Sequence, residues 1–262
     1  RATVMPNFVF TRLMAKQPSN GKELDSYKVE DVRVSVFEVP DDVKYLYHIM
    51  PREFIISEDK YDLLDQARRI MSRHEPREEE FVDPERMRQT FFNIGRDLIV
   101  ELSERRKIEI ELDEVNELAD MLVRYTVGFG FIEVLLKDKK IQDVVINGPI
   151  GETPIFIVHQ DYGECVTNII PSSEDGLGWA SRLRMLSGRP LDEANPVLDT
   201  ELLLPGARTR VAVVGRPLNP WGLGYALRRH RDMPWTLPLF IKNRMVNSLS
   251  AGLISFLIDG SR

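Results

Sequence analysis

The spacing of apolar residues changes near residue 130, and this change constrains the fold more than any other feature of the sequence. Between 58 and 129, apolar residues recur at helical spacing, for example at Leu63, Leu64 and Ala67. From 131 onwards, short runs of apolar residues are separated by glycine and proline turns. These turns follow one another too closely for repeated crossover helices, which argues against a doubly wound parallel sheet. The chain is therefore predicted to be α+β.

Four segments are predicted from the turn signals and the periodicity. Residues 1–26 are expected to be irregular, and 27–129 to form a β-hairpin followed by helices, so that the N-terminal region is mainly helical. Residues 130–242 are expected to form an antiparallel-sheet (PAS-like) domain of roughly five strands with a helix packed on it. The runs at 200–215 and 224–230 supply its last two strands. A final helix is predicted at about 243–258, within a terminal segment 243–262.

Composition limits the classes of function. Hydrophobic residues make up 43% of the chain and charged residues 29%, which is typical of a globular protein with a core. The formal net charge of -6 argues against broad nucleic-acid binding, which usually needs a basic face. The only cysteine, Cys165, excludes an internal disulfide and favours a reducing compartment.

Neither a membrane span nor a secretory signal is predicted from the sequence. No run of about 18 or more apolar residues is present, so no membrane span is expected. The first residues lack an apolar signal core with a cleavage site, and we predict a cytoplasmic protein. The chain begins with arginine rather than methionine, so it is expected to be a fragment or a trimmed product.

Common catalytic constellations are not found. The four histidines and the cysteine lie too far apart to predict a metal site, namely His48, His74, His159, His230 and Cys165. The phosphate-binding pattern G-x-x-x-x-G-K-S/T does not occur in the sequence. This chain alone therefore lacks the usual equipment for ATP hydrolysis and is expected to be inactive by itself.

Arginines concentrate in one stretch, "LPGARTRVAVVGRPLNPWGLGYALRRH". They are Arg208, Arg210, Arg216, Arg228 and Arg229. Guanidinium groups offer a planar fork of donors that suits phosphate oxygens. On an alternating strand, Arg208 and Arg210 share one face, and they repel each other unless an acid or a ligand is near. Two interpretations follow: an anion-binding site, or ion pairs with the nearby carboxylates, which are Asp192, Glu193, Asp199 and Glu201.

The order of several motifs resembles one family over about half of the chain. The segments are "DVVINGP", "HQDYGECVTNI", "RPLDEANPVLDTEL", "LPGAR" and "YALRRH". Together they resemble the N-terminal region of the secretion and pilus-assembly ATPases, most closely the archaeal branch. The turn in "LPGAR" is tighter than is usual in that family, and "GRPLNPWGLGYAL" is short for the corresponding loop.

The resemblance implies a site and its ligand. In such ATPases, arginines of the N-terminal domain reach the γ-phosphate of a nucleotide held by a RecA-like motor domain. Residue by residue, Arg208 and Arg228 match those positions, with Arg210 and Arg229 as possible supporting residues. Arg184 and Arg189 are expected to lie nearby without direct contact. No catalytic residue is implied within this chain.

The resemblance also implies cofactors and partners. The full-length protein would use ATP and Mg²⁺, with neither expected on this chain alone. The partners would be its own C-terminal RecA-like domain (to which 243–262 would lead), neighbouring subunits of a hexamer and a polytopic membrane platform protein. The location would be cytoplasmic, peripheral at the inner face of the membrane. By itself the chain is expected to be a monomer or a weak oligomer. A non-enzymatic adaptor of the same machines is the alternative, and nucleic-acid binding is a minor one.

Overall fold

The structure is a computed structural model, and it describes residues 11–30, 32–40, 42–71, 84–232 and 234–260. The predicted α+β class is confirmed. The helices within these ranges are α1 (Glu58–Met71), α2 (Pro84–Arg106), α3 (Leu112–Thr126), α4 (Phe131–Lys137), α5 (Ser173–Ser187), α6 (Leu237–Lys242) and α7 (Ser248–Asp259).

The strands within the same ranges are β1 (Arg12–Leu13), β2 (Lys22–Val29), β3 (Val32–Glu38), β4 (Tyr45–Met50), β5 (Ile141–Ile146), β6 (Phe156–His159), β7 (Gly163–Thr167), β8 (Ile169–Ile170), β9 (Val197–Leu204), β10 (Ala207–Val214) and β11 (Gly224–Arg229). A nine-stranded sheet has the order β2-β3-β4-β7-β6-β5-β11-β10-β9, and β1 pairs separately with β8. All neighbours in the large sheet are antiparallel except β4 and β7, which pair in parallel.

The sheet is larger than the roughly five strands expected from the sequence. The predicted hairpin is present as β3 and β4, but it extends the same sheet instead of standing apart. Strand β2 begins at Lys22, inside the segment expected to be irregular, because its residues pair along β3 from Lys22 to Val29. The run 200–215 also forms two strands. Pro205 and Gly206 turn the chain between them, and Gly206 has a φ of +77°, which glycine adopts readily.

One face of the sheet is covered by helices. Apolar residues of α1 to α5 pack against apolar residues of the strands and form the buried core. The predicted helix on the sheet is α5, which begins at Ser173 because Ser172 and Asp175 form a reciprocal capping box. Trp179 of α5 meets the ring of Tyr225 edge-on at 5.8 Å, and the Tyr225 hydroxyl donates to the Gly176 carbonyl at 2.6 Å. These contacts position α5 against β11.

A buried polar network lies where β2–β4 join the other strands. The hydroxyls of Tyr27 and Tyr47 both donate to Asp138 Oδ2, at 2.6 and 2.9 Å. The Asp161 N–H donates to His159 Nδ1, so the proton of the neutral imidazole is on Nε2, 3.0 Å from the Tyr27 hydroxyl. The parallel pairing of β4 with β7 involves few residues, from Tyr45 to Tyr47. The network therefore supplies side-chain links across a short backbone junction.

The chain divides into two compact units, residues 1–230 and 231–262. The second unit contains α6 and α7, and within it Trp235 stacks on Phe240 with ring centroids 5.3 Å apart. The last helix begins at Ser248 rather than near 243, because the Asn247 side chain accepts from the Ser250 N–H and caps it there. Among the described residues, no helix has both the length and the apolar character needed to cross a membrane. The domain boundaries predicted at 26, 129 and 242 stay predictions.

Candidate anion-binding site

Three of the predicted arginines lie together on the face of β10 and β11 that the helices leave open. Along β10, Arg208 and Arg210 are exposed and alternate with buried residues, among them Val211 and Val213, as the sequence predicts. In the register between the two strands, Arg210 lies directly opposite Arg228. The side chains of Arg208, Arg210 and Arg228 are 61%, 68% and 76% exposed. This group is called the arginine face below.

Carboxylates of the neighbouring strand β9 hold two of these guanidinium groups in forked pairs. Arg208 donates to both oxygens of Glu201, with Nη2–Oε2 at 2.8 Å. Arg210 donates to both oxygens of Asp199, at 3.1 and 2.6 Å. Both acids lie on β9 and were among the four weighed from the sequence. Asp192 instead accepts from the backbone of Ala194 and Asn195 in its own loop.

The third pair reaches across to β5. Arg228 Nε donates to Asp143 Oδ1 at 2.7 Å, and the two residues are directly opposite in the β11–β5 register. Asp143 was not among the acids considered from the sequence, because only the register of two distant segments brings it to Arg228. His230 Nε2 adds a further contact to Glu201 at 3.3 Å.

The pKa values reflect this pairing. The donated hydrogen bonds of Arg210 and Arg208 lower the pKa of Asp199 and Glu201. The hydrogen bond with Asp143 raises the pKa of Arg228, which the nearby charge of Arg210 opposes. The arginine face therefore alternates positive and negative groups, and an incoming anion competes with carboxylates for the forks of Arg208 and Arg210.

A shallow depression gives a ligand room beside these charges. It has a volume of about 430 Å³ and is lined by side chains of β5, β6 and β9–β11. Ala212 and Ala226, which are opposite each other in the register, form part of its floor next to Arg210 and Arg228. Because the alanine side chains are small, the guanidinium groups remain accessible from above.

The other arginines considered from the sequence lie elsewhere. Arg229 is on the covered face, 7% exposed, and donates to the carbonyls of Leu136, His230 and Gly206. Arg189 donates to the Asp199 carbonyl at 2.7 Å, at the outer edge of β9. Arg184 is exposed in the last turn of α5. The structure thus brings Arg208, Arg210 and Arg228 together and separates Arg229 from them.

The histidines of the described residues are also not gathered at one site. His48 and His159 are buried, and burial lowers the pKa of each. His230 is exposed beside Glu201, and His74 lies outside the described residues. Within the described ranges, no three histidine, cysteine or acidic residues are grouped so that they could hold a metal ion.

Comparison with known proteins gives partial matches. No family model matches the chain. It is 30% identical over 131 residues to the uncharacterized protein MJ0900 of Methanocaldococcus jannaschii, and 30% identical over 115 residues to MJ1288 of the same organism. These matches cover 49% and 43% of this chain but only 22% and 44% of those two proteins, so the chain spans less than half of the length of either relative.

One solved structure is also similar over part of the chain. It is the VirB11 ATPase from the Brucella suis type IV secretion system, crystallised in complex with sulphate. The match has a TM-score of 0.36 and 16% sequence identity, and it covers 45% of this chain and 34% of that one. A score this low does not establish a common fold.

Proposed function

We propose that this chain is the N-terminal portion of an ATPase that powers secretion or pilus or archaellum assembly, and that Arg208 and Arg228 contact the γ-phosphate of ATP. The observation that carries the proposal is that these two residues, identified from separate motifs, lie on the same open face of adjacent strands. Their guanidinium groups are exposed and point away from the core. The ATP would be held by a second, RecA-like domain together with Mg²⁺.

Phosphoryl transfer explains why such residues are needed. Positive groups around the γ-phosphate stabilise the charge that redistributes in the transition state. In this structure Glu201 occupies the fork of Arg208, and the partly buried Asp143 accepts a single bond from Arg228 Nε. Exchange of a carboxylate for a γ-phosphate would couple domain closure to the presence of ATP, and hydrolysis would release it.

The wider assembly belongs to the same proposal. A hexamer would provide neighbouring subunits, and the N-terminal part would dock on a polytopic membrane platform protein from the cytoplasmic side. The net charge of -6 fits a protein that does not bind nucleic acid broadly.

A second candidate is a non-enzymatic adaptor in which the arginines are structural. It is favoured by one observation: Arg208, Arg210 and Arg228 each have a carboxylate partner within the chain. In an adaptor these pairs would simply make the open face neutral and soluble.

The test uses the full product of the gene. A phosphate-binding G-x-x-x-x-G-K-S/T sequence in frame after the codon for Arg262 supports the ATPase, and a stop codon there supports the adaptor. With the motor domain present, we expect the double variant Arg208→Ala, Arg228→Ala to lower kcat for ATP hydrolysis by roughly a thousandfold, the lower range for arginines that contact a γ-phosphate. Arg216→Ala, an exposed arginine outside the paired set, is the matched control. Equal rates in the double variant and the control would contradict the arginine assignment.

A further inference from the structure

A second surface, separate from the arginine face, lies along β9. It is a groove of about 860 Å³ between this strand and the helices α2, α3 and α5. Its apolar lining comes from Phe92, Val123, Leu183, Leu186, Leu202 and Leu204. Five consecutive residues of β9, from Thr200 to Leu204, contribute to the lining. Because consecutive strand residues point to opposite faces, a groove that touches all of them runs along the edge of the sheet.

Strand β9 is the last strand of the large sheet among the described residues. The His230 N–H donates to the Arg208 carbonyl at 2.7 Å, so the backbone groups of Arg208 face β11. Its partner across the β9–β10 ladder is Leu203, which is therefore in a non-hydrogen-bonded pair and turns its own N–H and C=O outward. Glu201 and Asp199 follow the same alternation, and Arg189 contacts the outward Asp199 carbonyl. The backbone groups of Glu201 and Leu203 thus form the open part of the edge.

The charges in the groove favour a basic occupant. Arg88 is held by both oxygens of Glu133 at 2.9 Å, so its charge is balanced. Asp120 lines the same groove, and within the described residues no lysine or arginine forms an ion pair with it. Desolvation by the surrounding protein raises the pKa of Asp120, and the charges of Arg124, Lys137 and Arg88 oppose this shift without forming an ion pair with it. A cation in direct contact would stabilise the carboxylate further. The other carboxylates of the lining are Glu85 and Glu201, and Glu201 is paired with Arg208.

We propose that this groove binds an extended basic segment of a partner protein, which adds a strand to β9 and places a lysine or arginine beside Asp120. Backbone hydrogen bonds to the edge would supply affinity, and pockets for alternate side chains would supply specificity. Leu203, 70% exposed at the open edge, would become covered by the added strand. This interaction does not depend on nucleotide, so it stands apart from the function proposed above.

The test measures binding of fluorescent peptides to the 262-residue chain by anisotropy. The peptides have the length of β9, which is 8 residues, and alternate valine with lysine, glutamate or serine. We expect the lysine peptide to bind most tightly and its affinity to fall with added salt. Asp120→Asn is expected to weaken that binding about tenfold, the scale of one charge-assisted contact. Asp113→Asn, on the same helix but outside the groove lining, is the matched control.

Strand addition is tested separately from charge. Leu203→Pro removes an outward N–H while leaving the β9–β10 bonds in place, and is expected to abolish binding, whereas Leu203→Ala retains it. Lysine peptides methylated at the backbone nitrogens that face β9 provide a measurement that needs no change in the protein. Equal binding of lysine and glutamate peptides, or no effect of N-methylation, would overturn the proposal. So would a stable dimer in sedimentation that Leu203→Pro dissociates, because a second copy would then occupy the edge.

Discussion

Two adjacent arginines lie on opposite faces of the sheet and differ in exposure and in hydrogen-bond partners. Arg228 is 76% exposed on the open face and bonds one carboxylate. Arg229, the next residue, is 7% exposed on the covered face and bonds three backbone carbonyls. The exposed guanidinium of Arg228 can exchange its bond for one to another anion or to water at little cost, whereas the bond from Arg229 to the Leu136 carbonyl is buried and water cannot replace it. Position relative to the core, rather than residue type, separates a candidate ligand contact from a structural bond.

The largest effect on stability is expected at the buried network of the covered face. Asp138→Ala removes the acceptor of two tyrosine hydroxyls and leaves that of Tyr47, which is fully buried, without its bond. We expect a loss of about 3 kcal/mol in the free energy of unfolding, measured by urea denaturation. Asp161→Ala, which breaks an exposed pair with Lys140, is the control and should cost less than about 1 kcal/mol. Similar losses in both variants would show that the network does not stabilise the junction.

The pair of adjacent arginines provides a direct comparison of the faces. Arg229→Met leaves the carbonyls of Leu136 and Gly206 without this donor, and we expect a loss of about 2 kcal/mol. Arg228→Met should change the free energy of unfolding by no more than about 0.5 kcal/mol. Both are measured by the same denaturation. A larger effect at Arg228 would mean that the open face is covered in solution.

Acid is expected to lower the free energy of unfolding through a buried histidine on the covered face. Burial lowers the pKa of His159 in the folded state, so the unfolded state binds a proton first. The stability from neutral His159 is present above the ordinary histidine pKa of about 6.5 and is lost as the pH falls below it. A proton on Nδ1 would also oppose the Asp161 N–H that donates there. The midpoint of urea denaturation should fall more steeply with acid in the parent than in His159→Gln. Identical pH profiles of the parent and of His159→Gln would argue against this role of His159. Burial also lowers the pKa of His48, which accounts for any pH dependence that remains in His159→Gln.

The smallest effect on stability is expected on the arginine face. Glu201→Gln weakens an exposed pair, so the denaturation midpoint should not change measurably. Because the fork of Arg208 loses its anionic partner, the affinity for tripolyphosphate should rise at low ionic strength, measured by titration calorimetry. Glu193→Gln, in the preceding loop, is the control. Unchanged affinity in Glu201→Gln would indicate that the carboxylate does not compete with phosphate.

Much of the secondary structure was predictable because it depends on local spacing. The alternation of Arg208 and Arg210 with buried residues was predicted and is observed, as was the helix α5 on the sheet. The secondary-structure predictions were wrong where pairing between separate segments determines whether a strand forms. Strand β2 begins with polar residues, and it forms because β3 offers an edge to pair with. The turn within "LPGAR" was noted in the sequence, and Pro205-Gly206 is typical of a tight turn, but the run 200–215 was still predicted to form one strand.

The sequence by itself determined the α+β class, the arginine-rich stretch and which of its residues alternate along a strand, because periodicity and turn chemistry act over a few residues. Only the tertiary structure decided that Asp143 reaches Arg228, that Arg229 is buried and that β9 is the edge beside an apolar groove. These facts depend on strand order and register, which join distant segments of the chain, such as those of Arg228 and Asp143, 85 residues apart. Such pairings are set by the packing of the whole sheet and leave no mark on the local pattern.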